Sequence, residues 1–507
     1  MDVRMITNCK QLVVLGGGSA GWLTALFLKK TYPNNDIFVI EDPNQPPIIA
    51  GESGGATLSS FYRALGIDIS DWVRKVNAMP KLGSKFVDWD GVGSSFTHGL
   101  IDGRYNDDYS TISDTVIGGQ NREFLSCAIA ENISLENIFY CSKMINDNKL
   151  PIVRNLAIET IMWHFDSRAN AEYMKVLGIA RGIKIVEGKY SYSLKNDLGD
   201  TAIVYLEDGR YIQGDWFFDC SGFNRLLLQK EYNVESVDYT SLFPARNVVA
   251  WWDEDPKCIN YTGITAMKYG WSWNINLKHR SGNGYIYDPD HITEDQAVEE
   301  INTRFNCNID PVAKLSFTPS LLKTTWVNNV IAVGLSSGFL EPLEANGLSQ
   351  VIFQLHLIEK YWNPVAVNDG DRRLFHEYHE DYNNQIVNFL SLHYKGHRQD
   401  TDFWLSHKHD LERTNFVTRE RLDAWSKGSL IEDDKSFVIY PFESYATVVQ
   451  GLGLVNLQTL KSRLIGKRAT IFDDFYSSFE KVTDRNLKIL SDSLTLDDWF
   501  KLTYPTI

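Results

Sequence analysis

Apolar runs broken by glycine predict the first elements of the chain. Gln11–Leu15 (QLVVL) reads as a strand buried on both faces. It breaks into Gly16-Gly17-Gly18-Ser19-Ala20-Gly21, after which Trp22, Leu23, Ala25, Leu26 and Leu28 predict a helix. Asp36–Ile40 predicts a second strand, ending in Glu41-Asp42. Tyr211–Cys220 (YIQGDWFFDC) and Val330–Gly334 (VIAVG) predict two more strands, each running into a turn of small residues. Val351, Ile352, Leu355, Ile358 and Trp362 then fall at amphipathic helical spacing. From Gln350 onward the periodicity is mainly helical. Trp271 and Trp273, two positions apart, predict one face of a strand, and Gly282-Asn283-Gly284 reads as a turn.

Strand, glycine turn, helix and strand form a βαβ unit, so the fold class is α/β, Rossmann-like, with the GxGxxG fingerprint at Gly16, Gly18 and Gly21. Gly16 allows the tight turn, Gly18 lets the backbone approach a pyrophosphate at the helix N-terminus, and Gly21 allows helix and strand to pack closely. Glu41, twenty positions past Gly21, is spaced to accept hydrogen bonds from ribose hydroxyls, and Asp42 could serve instead. The competing reading is a glycine-rich turn that holds nothing. The fingerprint does not separate FAD from NAD. The second strand–turn–helix, around Gly334, favours FAD because its backbone amides suit the flavin ring and ribityl chain.

Composition narrows the partners. In 507 residues, fifty basic side chains face sixty-five acidic ones for a formal charge of −15, which argues against a nucleic-acid binder. No apolar run is long enough to span a bilayer, and MDVRMITNCK lacks the apolar core of a signal peptide. The six cysteines contain no CxxC pair, so a reducing, cytoplasmic setting is expected, with no disulfide framework. His376-Glu377-Tyr378-His379 is one residue short of a zinc-binding HExxH, and His393 and His397 flank Gly396, so no metal is expected. Aromatic residues, at 13%, fit either an aromatic-lined pocket or a large core.

Seven segments together resemble the flavin-dependent halogenases, of which the tryptophan halogenases are a branch. They are GGGSAGW at 16–22, GES at 51–53, KLGSKFVDW at 81–89, DCSGF at 219–223, WSWNINLKHRSGNGYIY at 271–287, GFLEPLEANG at 338–347 and NFLSLHYKGHRQDTDFW at 388–404. The first and fourth are common among flavoproteins. The lysine, the tryptophan pair and the PLE segment, in this order, make the set specific.

The resemblance implies that FAD is used in its reduced form, delivered by a separate flavin reductase. Oxygen and a halide (chloride, bromide or iodide) then yield hypohalous acid, which an internal passage carries to Lys81. Confinement makes sense because free hypohalous acid oxidises Met, Cys and Trp. On composition alone, Lys81 would read as a surface lysine after Pro80. Glu344 matches the second catalytic residue, a carboxylate that stabilises a cationic ring and takes its proton; without the resemblance it equally suits a helix N-terminus. The implied cofactor contacts are Gly16, Gly18, Ser19, Ala20, Gly21, Glu41, Gly51, Glu52, Ser53, Gly334 and Leu343. Asn346 and Gly347 would hold the halide through their backbone amides. Trp271 and Trp273 would wall the flavin off from the substrate.

This chain departs from the family at Ala345-Asn346, where Ser-Thr is usual, and at Asn276, which stands for a proline. The expected FAD-binding module spans 1–100 and 155–349; a mainly helical substrate module spans 101–154 and 350–507. The expected substrate is a small electron-rich arene, and homo-oligomerisation stays open. A flavin monooxygenase of the same fold and a flavin-binding protein without turnover are the competing readings. A NAD-linked dehydrogenase is a third.

Overall fold

The run Gln11–Leu15 forms the interior of a parallel sheet, where Leu12, Val13 and Val14 are fully buried. In the computed structural model, residues 3–5, 9–45, 53–100, 120–150, 161–409, 416–429 and 439–503 are described. Among them the sheet has six strands, in the order Lys184–Glu187, Asp36–Glu41, Gln11–Leu15, Trp216–Asp219, Val330–Ala332 and Trp326–Val327. All neighbours are parallel except the last pair, an antiparallel edge. Parallel strands covered on both faces need continuous apolar runs, which is what VVL and WFF supply. Ser19–Thr31 is the helix that follows the first strand, and Asn346–Tyr361 follows Val330–Ala332.

Tyr211–Cys220 is not one strand. Tyr211–Gln213 belongs to a three-stranded antiparallel sheet with Tyr190–Lys195 and Thr201–Leu206, while Trp216–Asp219 enters the parallel sheet. The break has two causes. A Cβ on Gly214 would lie 2.7 Å from Val13 Cγ2, so the backbone hugs the neighbouring strand. Asp215 donates its own N–H to the Gln11 carbonyl at 2.9 Å, while its Oδ2 accepts the Lys10 and Gln11 N–H groups at 2.8 Å each, so a side chain stands in for the backbone acceptor of a regular ladder.

The chain divides into two compact units. One comprises Met1–Ala78, Trp163–Thr240 and Ser316–Asn383; the other comprises Met79–Met162, Ser241–Leu315 and Asn384–Ile507. These limits differ from the module limits expected from sequence: the strands between 83 and 99 and between 247 and 287 go with the C-terminal helices. They belong to a seven-stranded sheet ordered Pro311–Ser316, Asn247–Asp253, Ser281–Tyr287, Gly270–Asn276, Thr262–Met267, Gly83–Val87 and Ser95–Gly99. The same unit contains the helices Gln120–Ala130, Tyr140–Asp147, Phe442–Gly451, Leu457–Lys467 and Ile471–Ser491.

The turn expected at Gly282-Asn283-Gly284 is strand instead. The chain reverses earlier, where Leu277 N–H donates to the Arg280 carbonyl at 2.8 Å, and Ser281–Tyr287 pairs along its length with Gly270–Asn276. The glycines serve packing: Gly284 faces Trp273 across the ladder, and a Cβ there would overlap the indole ring. Replacing Gly284 with Val should displace Trp273 and lower stability by about 1–3 kcal/mol. A lower denaturation midpoint with an altered near-ultraviolet tryptophan signal checks this.

Candidate functional site

Three turns meet at the carboxyl ends of adjacent parallel strands. In the first, Gly16 has φ +127°, and a Cβ there would overlap the Cys220 carbonyl oxygen. A Cβ on Gly21 would overlap the Gly16 carbonyl oxygen. At Gly18 the same atom meets nothing within 4 Å. Two of the three fingerprint glycines are thus required by backbone contact, and the third faces open space. Gly18 is also the N-cap of Ser19–Thr31, a helix with no acidic residue in its first turn to offset its partial positive charge. Open space, amide donors and positive potential at one point fit the pyrophosphate of a dinucleotide such as FAD.

The second turn, Asp219–Phe223, is tied by one carboxylate. Asp219, fully buried, accepts Ser221 N–H and Oγ–H on one oxygen and Leu227 and Leu228 N–H on the other. The third turn begins at Gly334, φ +69°, where a Cβ would lie 3.0 Å from Ala20 Cβ. Ser53 lies in the short strand Ser53–Gly54, paired with His164 and Trp163. Gly51 and Glu52 lie outside the described residues.

Glu41 ends its strand beside the first turn, but its carboxylate already has a partner: Lys175 Nζ donates to Oε1. The other oxygen, Oε2, lies over Gly17. Lys175 sits on the helix Ser167–Ala180, five residues after Asn170. Asn170 Oδ1 accepts from Trp72 Nε1 at 2.9 Å and Tyr62 Oη at 3.2 Å, and its Nδ2 donates to Ser19 Oγ at 3.4 Å. One helix therefore holds both ends of the βαβ turn. Neither residue stands in a motif, so the sequence carried no signal for them.

Glu344 and Ala345 are consecutive left-handed residues, at φ/ψ of 62°/15° and 56°/39°, and Asn346 returns to −70°/−18°. Left-handed backbone followed by right-handed makes neighbouring amides converge, a concavity suited to an anion. It opens the helix Asn346–Tyr361, whose first turn has no acidic residue. A Cβ on Gly347 would meet nothing within 4 Å. Asn346 uses its side chain to donate to the Leu343 carbonyl at 3.0 Å, which is a reason asparagine can replace the family's hydroxyl residue. Glu344 is thus set before the helix in a strained turn rather than in its first regular turn.

The other unit carries Lys81, Trp271 and Trp273. Lys81 ends the strand Met79–Lys81 with 3% of its surface exposed, so the reading as a solvated lysine fails. Trp271 and Trp273 share a strand face with ring centres 5.9 Å apart, both buried. Trp271 Nε1 donates to Tyr394 Oη at 3.1 Å, and Trp89 packs edge-on to Tyr394. Asn276 is fully buried, pairs with Ser281, accepts Ser281 Oγ–H and donates to Asn274 Oδ1. The ladder therefore continues to the position where the family has proline.

Five parallel strands with an antiparallel edge, a glycine-rich turn, a tied second turn and a third turn against Ala20 fit a flavoprotein oxidoreductase of the Rossmann type. The solved structure of Xcc4156, a flavin-dependent halogenase from Xanthomonas campestris, shares this fold with a TM-score of 0.84 at 23% identity, covering 97% of this chain and 98% of that one. A sequence profile for tryptophan halogenases matches residues 11–463. The tryptophan 6-halogenase ThaL of Streptomyces albogriseolus is 28% identical over 496 residues, 89% of this chain and 91% of that protein. The tryptophan 7-halogenase RebH of Lentzea aerocolonigenes is 27% identical over 493 residues, 88% and 90% respectively. The chain belongs to the tryptophan halogenase family and is in class a flavin-dependent halogenase. Among the described residues no helix is long and apolar enough to cross a membrane.

The Glu41–Lys175 pair has a pH signature. Its hydrogen bond to Glu41 raises the Lys175 ammonium above its ordinary value of 10.5. A raised lysine contributes stability below its unfolded value and loses it as pH rises through the folded one. Lys175→Met should therefore lower the unfolding free energy at pH 8, by about 1 kcal/mol or less, and the gap should close only as pH rises through the raised lysine value, above its ordinary 10.5. A gap that persists unchanged in alkali would contradict the pairing.

Proposed function

We propose that this protein halogenates a small electron-rich aromatic substrate, with Lys81 delivering the halogen and Glu344 taking the ring proton. The observation that carries the reading is the burial of Lys81: an ammonium 3% exposed costs several kcal/mol to desolvate and is kept where chemistry uses it. Bound reduced FAD, with oxygen and halide, supplies hypohalous acid. The unit that includes Met1–Ala78 would hold the cofactor through Gly16, Gly18, Ser19, Ala20, Gly21, Glu41, Ser53, Gly334 and Leu343, with Gly51 and Glu52 added from the motif. The other would hold the arene.

Each residue then has one task. Ser19 and the amides at Gly18 and Ala20 take the pyrophosphate charge. Glu41, oriented by Lys175, offers Oε2 to a ribose hydroxyl. The turn at Ala345, Asn346 and Gly347 gathers amide dipoles on chloride, bromide or iodide without a full counter-charge, so the halide stays nucleophilic. Trp271 and Trp273 keep arene and cofactor apart, which directs oxidation through the halide rather than onto the ring. Lys81 donates a hydrogen bond to the oxygen of hypohalous acid. As the O–X bond breaks and C–X forms, the Lys81 ammonium protonates the departing hydroxide to water. Glu344 stabilises the cationic ring and accepts the displaced ring proton. A separate flavin reductase supplies the reduced cofactor.

The test is mass spectrometry of an arene panel incubated with FAD, NADH, a flavin reductase and each halide in turn. Halogenated products are expected from the parent. Lys81→Ala should bind FAD with parental affinity and give none, and Glu344→Gln should slow halogenation by roughly 10²–10⁴-fold. Halogenation by Lys81→Ala at the parental rate would overturn the delivery role, and an oxygenated, halogen-free product from the parent would make the protein a monooxygenase.

A further inference from the structure

The turn at Gly334 is held from behind by side chains that none of the roles above uses. Gln354, fully buried on the helix Asn346–Tyr361, accepts the Gly334 N–H on Oε1 at 2.8 Å. Its Nε2 donates to Ser337 Oγ at 2.8 Å and lies 2.9 Å from His379 Nε2. Gln350, one helical turn earlier, donates to the same Ser337 Oγ at 3.1 Å, and Ser337 Oγ–H donates to the Gly334 carbonyl at 2.7 Å. The amide and the carbonyl of Gly334 are both engaged from this one side.

The polarity of the network is set by chemistry. Rotating the Gln354 amide half a turn would aim its NH₂ at the Gly334 N–H, two donors facing each other in a buried place. In this orientation the Gln354 NH₂ also faces His379 Nε2, which must accept from it. The imidazole must then be neutral, with its proton on Nδ1, 3.3 Å from the Asn383 side-chain amide, which must turn its oxygen toward the ring to accept it. His379 is 4% exposed, and burial, with His376 adding to it, pushes its imidazolium down to about 3. The spacing from His376 to His379 thus places a buried hydrogen-bond acceptor beside Gln354.

We propose that Gln354, oriented by His379, is a positioning residue for the flavin: it fixes the Gly334–Ser337 turn, which in turn meets Ala20 of the dinucleotide loop. This rests on reading Gly334 as a cofactor contact. If the network only fastened helix to sheet, its loss would lower stability and leave cofactor affinity alone. If it positions the turn, its loss weakens FAD binding beyond any fall in melting temperature, because the mis-set peptide plane must be corrected on binding.

The experiment is titration of the full-length protein with FAD, read by flavin fluorescence and the visible band shape, beside thermal melts. Gln354→Met and His379→Leu should each raise the FAD Kd on the order of tenfold, the size expected for one lost buried hydrogen bond, and alter the band shape. His379→Gln, which restores an acceptor, should bind within about twofold of the parent. Parental Kd and band shape in both apolar variants, with lowered melting temperatures, overturn the proposal. Should Gln354→Met fail to fold, the His379→Leu and His379→Gln pair decides by the same measure: equal affinities overturn it, a gap supports it. A parent that binds no FAD would sink the cofactor reading itself, whereas a binding parent with unaltered variants sinks only the positioning role.

Discussion

At the carboxyl edge of the parallel sheet, the Gly16 carbonyl occupies the space where Gly21 would carry a Cβ, and the Cys220 carbonyl occupies that of Gly16. Two successive turns are packed backbone to backbone, and Gly334 brings a third to within a methyl's reach of Ala20. Everything expected of the cofactor site depends on this convergence, because it gathers the amides of three turns at one edge of the sheet. A side chain at either contact would pry the edges apart by an atomic diameter. That exceeds what a hydrogen bond tolerates. Gly18 faces space that the other two glycines leave open.

The second unit solves a different problem by different means. The face bearing Trp271 and Trp273 is backed by rings, with Trp89 centred 5.5 Å from Trp404 and 5.6 Å from Tyr394, and Tyr394 stacked on His407. Such rings fill volume with few rotatable bonds, so they hold shape at low entropic cost. On the adjoining strand positions, Asn274, Asn276, Asn283 and Ser281 satisfy one another across the ladder. That polar rung accounts for why the strand does not require proline at 276: side-chain hydrogen bonds fix what a restricted φ would otherwise fix.

The parts of the molecule legible in sequence were those whose physics is local. Gln11–Leu15 came out as read, because a buried parallel strand must be apolar throughout and a glycine turn must follow it, whereas the helix read from Trp22 begins at Ser19, inside the glycine turn. Lys81 and Glu344 were legible only through their motifs; burial of one and the left-handed backbone of the other are properties of distant contacts. Gly282-Gly284 misled for the same reason. Glycine marks either a turn or a missing side chain under a ring, and only the cross-strand partner Trp273 tells which. Asn170, Lys175 and Gln354 had no signature, since a single polar residue on a helix looks alike whether it meets water or a buried backbone amide.

Glu344 and Ala345 carry the clearest sign of selection for something other than stability. Two adjacent non-glycine residues in the left-handed region cost roughly 1–3 kcal/mol each, and glycine at either position would relieve it. Burying Lys81 is a further cost of the same order or larger. A fold optimised only to persist would shed all three. Their presence together, alongside a glycine turn that is open at Gly18, is what a site under tension would look like: the surrounding sheets and helices would supply the stability that such groups cost.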